Sequence, residues 1–217
     1  MQRFLQPRVL VALGLISVLL VVFIGYRGWR LAQSPGLDDF GPAPTFTLTD
    51  QAGQTVVDDT FRDQVVVVDF VYTGCRESCP LLTARMGALQ ERLRREGLLG
   101  ARVQLLSLTV NPTHDTPAVL RAYAEQHEAT PDSWRFLTGP EDELMRVIVQ
   151  GFLQAVVPLP ATPGAAAESV ADDGEGGEIM HSNRFVLIDR QGHMRAFYDG
   201  LALEPDQAVR DIRLLLR

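Results

Sequence analysis

The chain has 217 residues, of which 46% are hydrophobic, and this is enough for one domain with a full core. All 20 basic residues are Arg, and four of them precede Asp38, which is the first acidic residue. The rest of the chain carries 16 Arg against 27 Asp and Glu. This excess of acidic residues suits a cationic metal or a basic partner surface. Binding to nucleic acid requires basic patches, so we expect no nucleic acid among the partners.

The first predicted element is a membrane anchor over residues 9–26, which contain no charged residue. Eighteen residues in a helix span roughly 27 Å, close to the hydrocarbon thickness of a bilayer. Tyr26 and Trp29 follow at its outer end, where aromatic rings favour the interface. A cleaved signal peptide is the rival interpretation, but the apolar run is long for one and no Ala-x-Ala site follows. We therefore predict a tail at 1–8, an uncleaved transmembrane anchor and a tether at 27–44.

The orientation of this anchor rests on its position in the chain. Arg3 and Arg8 precede it and Arg27 and Arg30 follow it, so the charges on its two sides are nearly balanced. A short N-terminal tail usually stays in the cytoplasm. We therefore expect the domain at 45–217 to face the periplasm or an equivalent extracytoplasmic space.

The first half of this domain is predicted to form a hairpin, a buried strand and a helix. Residues 46–49 and 55–57 read as the hairpin. The continuous apolar run at 64–72 predicts a central strand that is buried on both faces, as in a parallel sheet. A helix is expected at 80–96, with Ser78 as its N-cap.

The second half continues the alternation of strands and helices. Strands are predicted at 103–109, 134–137, 183–188 and 194–198, and helices at 117–127, 141–152 and 205–216. Residues 158–178 are rich in Ala, Gly and acidic residues without a hydrophobic period, and they are interpreted as a mobile acidic insertion. The order of elements predicts an α/β fold with a mixed sheet flanked by helices.

The two cysteines of the chain, Cys75 and Cys79, stand together at the predicted turn from strand to helix. In a regular helix this spacing separates the Cβ atoms by about 5–6 Å, whereas a disulfide needs about 3.5–4.5 Å. The gap can close if Cys75 lies in the turn, so a redox disulfide and a two-thiolate metal site both stay open. The helix N-terminus is expected to lower a thiol pKa and so favour the thiolate.

Two thiolates suit a soft ion such as Cu(I), but they need a third ligand. His127 and His193 are expected to be solvated, and His114 is expected to cap or to be solvated in a loop that could lie near the site. His181 stands between the insertion and a core strand, from which it could reach the cysteines, although position alone favours a structural role. Met180 is a conceivable soft ligand, but such a residue more often packs.

Four segments in this order resemble the Sco/SenC family of membrane-anchored copper chaperones. The most specific is the Cys-x-x-x-Cys-Pro motif within its Tyr-Thr setting. The segments are DFVYTGCRESCP at 69–80, SLTVNPTHDTPAVLRAYA at 107–124, WRFLTG at 134–139 and HSNRFVLID at 181–189. Two positions depart from the family pattern, because Asn111 replaces its usual Asp and Met180 replaces the acid that often precedes the His.

The resemblance implies a thioredoxin-like fold in which Cys75, Cys79 and His181 bind a copper ion, as Cu(I) or Cu(II). It implies a role in assembling the binuclear copper centre of cytochrome c oxidase, with the copper-bearing subunit of that enzyme or another copper acceptor as the partner. Both copper delivery and reduction of the acceptor's cysteines have been proposed for the family. We therefore expect a copper-binding assembly factor and not an enzyme with turnover.

Three other functions would also use this cysteine pair. An extracytoplasmic thiol–disulfide oxidoreductase fits the turn-to-helix placement, but its usual motif is Cys-x-x-Cys, one residue shorter. A peroxidase of the same fold class could use Thr73 and Arg76, but it gives less reason for a paired Cys and a downstream His. A purely stabilising disulfide would close so short a loop that its entropic gain is smallest.

Overall fold

The computed structural model describes most of the domain and a few residues of the N-terminal segment. The described residues are 16, 17, 20–23, 36–75, 78–158 and 179–217. The predicted mobile insertion therefore lies outside the described residues, apart from Pro158.

The chain divides into two compact units, residues 1–37 and residues 38–217. In the first unit, residues 16, 17 and 20–23 are helical and exposed. The tail at 1–8 and the rest of the predicted anchor lie outside the described residues. In the part of the chain that the structure describes, no helix is both long enough and apolar enough to span a bilayer.

The second unit is built on a mixed sheet of seven strands, and two further short strands form a separate pair. In chain order the strands are β1 (Thr47–Asp50), β2 (Thr55–Val57), β3 (Val65–Val71), β4 (Val103–Thr109), β5 (Trp134–Thr138), β6 (Val156–Pro158), β7 (Ile179–His181), β8 (Arg184–Ile188) and β9 (Met194–Asp199). The large sheet has the order β2-β1-β5-β4-β3-β8-β9, and β6 pairs with β7 alone. Strands β3, β4 and β5 are parallel, and the other pairs are antiparallel.

The centre of the sheet is the pair β3 and β4. All seven residues of each strand are buried, which explains why both read as continuous apolar runs. Val67 of β3 lies opposite Leu105 of β4 and opposite Leu187 of β8, so β3 is hydrogen-bonded on both edges. The prediction of a central strand and of a mixed α/β sheet is confirmed.

Four α-helices of the described residues accompany this sheet. They are α1 (Cys79–Arg95), α2 (Pro117–Gln126), α3 (Glu141–Met145) and α4 (Pro205–Leu215). Helix α1 buries one stripe completely, formed by Leu82, Met86, Leu89 and Leu93. It stops before Gly97, whose φ of +66° is left-handed.

Three local predictions differ from the structure. The helix expected at 141–152 divides, because α3 passes into a π-helical turn at Arg146–Gly151. The pair β6–β7 was not predicted, since its strands are only three residues long and give no periodicity. Ser78 precedes α1 but accepts no capping hydrogen bond. The sulfur of Cys75 takes that place by accepting the N–H of Cys79.

The topology brings distant segments to one end of β3. Strand β8 runs antiparallel to β3, with Val66 opposite Ile188 and Val68 opposite Val186. The start of β8 therefore lies beside the carboxyl end of β3, where the turn into α1 begins. The residues just before β8 therefore lie at the same end of β3 as the two cysteines.

Candidate metal centre

Cys75 lies in the turn after β3 and is half-buried. Its backbone N–H donates to the carbonyl of Tyr72 at 3.2 Å. Its sulfur accepts the backbone N–H of Cys79 at 3.3 Å and lies 4.0 Å from the hydroxyl of Ser78. Cys75 and Cys79 both carry thiols. The redox disulfide predicted between them stays a prediction.

Cys79 is the first residue of α1 and is completely buried. Burial raises the pKa of the Cys79 thiol, and the neighbouring Cys75 and Asp69 raise it further, while a hydrogen bond with the Tyr72 backbone acts in the opposite direction. The expectation that the helix start favours a thiolate is therefore wrong for this residue, because removal from water outweighs the dipole of the helix. In the metal-free protein Cys79 keeps its proton.

His181 ends β7 and contacts Cys79 across 102 residues of sequence. Its Nε2 lies 3.3 Å from Sγ of Cys79, and its Nδ1 lies 3.3 Å from the carbonyl oxygen of Ser182. A carbonyl can only accept, so Nδ1 carries the hydrogen and the lone pair of Nε2 faces the thiol. Burial lowers the pKa of His181, although the Ser182 carbonyl partly opposes this, so the ring is neutral. A neutral imidazole with this tautomer is a competent metal ligand.

Each of the other three histidines has a side-chain partner of its own in the described part of the chain. His127 packs its ring 4.4 Å from that of Tyr123, and burial lowers its pKa, but the residue is only half-buried and keeps contact with solvent. His193 pairs with Asp39 at 3.0 Å, and its side chain is exposed. His114 lies in the predicted loop, with Nδ1 2.8 Å from a carboxylate oxygen of Asp115.

Asp69 is a buried acid near the cysteines that the sequence reasoning missed. It is fully buried within β3, and neither carboxylate oxygen makes a hydrogen bond of ordinary length in the described part of the chain. Burial raises the pKa of Asp69 to about 7, and the hydroxyl of Ser107 and the backbone of Asp69 itself offset this in part. The signal was visible as a single acid within the apolar run VVVVDFV.

The residues at this end of β3 offer a soft donor set. Two sulfurs and one imidazole nitrogen are the ligand types that copper takes in proteins. In the described ranges, no three His, Cys, Asp or Glu side chains form a ready-made metal cage. Cys79 and His181 touch directly, and Cys75 joins them through the N–H of Cys79. The donor types thus fit copper. Arg76 and the side chain of Met180 lie outside the description.

Comparison with known proteins gives a consistent result. The model of the SCO1/SenC family matches residues 37–217. A SCO1 protein homologue of Bacillus subtilis is 28% identical over 202 residues, covering 92% of this chain and 94% of its own. A SCO1/SenC family lipoprotein of Bacillus anthracis superposes with a TM-score of 0.71 at 26% identity, covering 84% of this chain and all of its own.

A further solved structure, that of ScoI of Bradyrhizobium japonicum, was determined with copper bound. It superposes with a TM-score of 0.66 at 22% identity and covers 81% of this chain and all of its own. At 22% identity, this similarity shows a shared fold alone.

Proposed function

This chain belongs to the SCO1/SenC family, and from that premise we propose that it binds copper through Cys75, Cys79 and His181 as an assembly factor for a copper enzyme. The observation that carries the proposal is the 3.3 Å contact between Sγ of Cys79 and Nε2 of His181. The copper-bound ScoI of Bradyrhizobium japonicum, which has the same fold, supports the choice of metal.

The three side chains have complementary parts in holding the ion. The thiols of Cys75 and Cys79 supply soft sulfur once their protons leave, and this favours Cu(I), while imidazole accepts Cu(I) and Cu(II) alike. His181 needs no deprotonation, because burial keeps it neutral and the Ser182 carbonyl directs Nε2 toward Cys79. Copper binding therefore displaces thiol protons and strengthens as the pH rises.

Release of the ion is the second requirement of an assembly factor. His181 is carried by the pair β6–β7, which is separate from the large sheet. A two-stranded ribbon is only marginally stable by itself, so His181 can leave more easily than Cys79, which is buried at the start of α1. Its departure leaves copper with two thiolates, from which an acceptor thiol can take it. On the family resemblance, we assign the acceptor role to the copper-bearing subunit of cytochrome c oxidase.

The location proposed for this activity is the outer face of a membrane, with residues 9–26 as the anchor. The uncharged run of eighteen residues supports the anchor, and the Bacillus anthracis relative, a lipoprotein, supports a place at a membrane. In cells that express the full chain, the protein should stay in membranes after an alkaline wash, and protease added to spheroplasts should degrade the domain. Recovery in the wash, or full protection from protease, would overturn this placement.

The thiol–disulfide oxidoreductase is the less favoured alternative. It would use the same two thiols, but it assigns no role to His181, which lies against Cys79. Copper binding uses all three side chains.

The ligand set is tested by copper stoichiometry and by the thiolate-to-Cu(II) charge-transfer band. We expect one copper per chain in the wild type, loss of the band in Cys79→Ser and Cys75→Ser, and weaker binding in His181→Ala. His193→Ala is the matched control, because His193 pairs with Asp39 and should leave binding unchanged. If Cys75→Ser and His181→Ala each keep one tightly bound copper, the proposed site is wrong.

A further inference from the structure

We infer that Asp115 is a positioning residue of the copper site, because it fixes the loop that carries Cys75. The inference rests on the proposed function and extends it to a residue outside the proposed ligand set. Asp115 is completely buried, although it lies in the loop before α2.

Both carboxylate oxygens of Asp115 are fully used. Oδ1 accepts the hydroxyl of Thr73 at 2.5 Å and lies 2.8 Å from Nδ1 of His114. Oδ2 accepts the backbone N–H of Thr73 at 3.1 Å and the hydroxyl of Thr109 at 2.6 Å. Four polar partners on one buried carboxylate offset the cost of its desolvation, so the arrangement is a tightly held unit.

This unit joins the Cys75 turn to the neighbouring strand. Thr73 lies two residues before Cys75, and Thr109 is the last residue of β4, where it pairs with Val71. The backbone N–H of Val110 also donates to the carbonyl of Val71 at 2.9 Å. Asp115 thus extends the contact between the two strands beyond the end of β3.

Cys75 is the proposed ligand whose position depends on this turn. Its sulfur accepts the N–H of Cys79 only while the turn holds its present shape. A turn released from Asp115 would move the Cys75 sulfur away from the start of α1, whereas Cys79 and His181 are held by other elements. Partners that orient metal ligands typically change metal affinity by about 10–100-fold when they are removed.

Another buried carboxylate provides the matched control. Asp50 accepts the backbone N–H groups of Ala52 and Gln54 at 2.9 and 2.8 Å, all within its own hairpin turn. Asp115 instead reaches a segment 42 residues away. A purely structural role predicts similar behaviour for both residues, whereas a positioning role predicts a copper effect for Asp115 alone.

The test compares Asp115→Asn with Asp50→Asn in Cu(II) affinity, in the thiolate charge-transfer band and in amide hydrogen exchange of the metal-free protein. An Asn side chain loses one of the two accepting oxygens. We expect Asp115→Asn to lower Cu(II) affinity by about 10–100-fold with a shifted band. We also expect exchange of the Cys79 amide to rise about tenfold, without a matching rise in the later turns of α1. Asp50→Asn should show neither effect.

The outcomes separate this inference from the proposed function. If the wild-type protein shows no thiolate band, the proposed copper site is wrong. Exchange of the Cys79 amide would still test whether Asp115 holds the turn. Wild-type affinity, band and exchange in Asp115→Asn would overturn the positioning role. If Asp115→Asn does not fold, Thr73→Val removes only the hydroxyl donor on the side of the turn, and it should show the same changes in weaker form. Unchanged binding and exchange in Thr73→Val would then overturn the inference.

Discussion

At Cys79, two physical effects act on the same thiol in opposite directions. A helix N-terminus stabilises a negative charge by about 0.3–1 kcal/mol at exposed sites. Complete burial can shift a pKa by several units, and each unit corresponds to about 1.4 kcal/mol. Burial is the larger effect, and it raises the pKa of Cys79. The residue is therefore held as a thiol against a neutral His181 in the metal-free protein.

Asp69 leads to a prediction about pH and stability. Its pKa is raised by burial to about 7 in the folded protein, from an ordinary value of 3.8. The folded state then binds a proton more tightly than the unfolded state, so this group lowers stability as the pH rises from about 4 to about 7. In this window we expect the free energy of unfolding of Asp69→Asn to rise relative to that of the wild type by up to about 1.4 kcal/mol for each pH unit. At higher pH the difference should persist.

The measurement for Asp69 is chemical denaturation of the metal-free protein between pH 5 and pH 8. The difference between the two stability curves isolates this one group. Asp50→Asn serves as the control, because its carboxylate has two backbone partners and its removal should lower stability. Parallel curves for Asp69→Asn and the wild type would contradict the assignment.

At the scale of elements, Gly200 sets the approach between α1 and the end of β9. A Cβ atom at Gly200 would lie 2.4 Å from Cδ2 of Leu82, 2.9 Å from the ring of Phe185 and 3.0 Å from the carbonyl oxygen of Asn183. We expect Gly200→Ala to lower the free energy of unfolding by about 1–3 kcal/mol, since the added methyl overpacks this contact. Urea denaturation measures the loss.

Gly87 provides the matched comparison for Gly200. It lies within α1, and an added Cβ would meet only the ring of Trp134, at an ordinary 3.9 Å. Gly87→Ala should therefore raise stability by about 0.5–1 kcal/mol, because Ala favours the helix interior. Equal effects of the two substitutions would show that packing at Gly200 is looser than described.

The elements differ in how far the sequence could predict them. Strands β3 and β4 are buried on both faces, so their apolar runs marked them to within two residues. The pair β6–β7 left no pattern, because its partners come from either side of a long insertion and have three residues each. The passage from α3 into a π-helical turn also leaves the apolar spacing nearly unchanged, so one helix was expected.

The candidate site was predictable in its parts but not in its electrostatics. The spacing of Cys75 and Cys79 indicated soft-ligand or redox chemistry. Only the family resemblance favoured His181 as the third metal ligand. The structure adds the direct contact of His181 with Cys79. The raised pKa values of Cys79 and Asp69 depend on burial between elements that are distant in sequence. No local pattern carries that information.

At the scale of the whole molecule, copper should act as a ligand that stabilises the folded domain. A ligand present at 1,000 times its Kd adds about 4.1 kcal/mol, which corresponds to a rise in Tm of roughly 10 °C for a domain of this size. The gain should shrink in His181→Ala and vanish in the double variant Cys75→Ser, Cys79→Ser. Calorimetry with and without Cu(I) measures it. The same rise in Tm for all three proteins would place the metal elsewhere.

The central claim is that two sulfurs and one imidazole of this chain hold copper together. X-ray absorption of the copper-loaded protein counts these ligands directly. We predict two sulfur scatterers and one imidazole nitrogen in the wild type, with the imidazole signal lost in His181→Ala and kept in His193→Ala. A copper shell without sulfur, or an imidazole signal that persists in His181→Ala, would contradict the account.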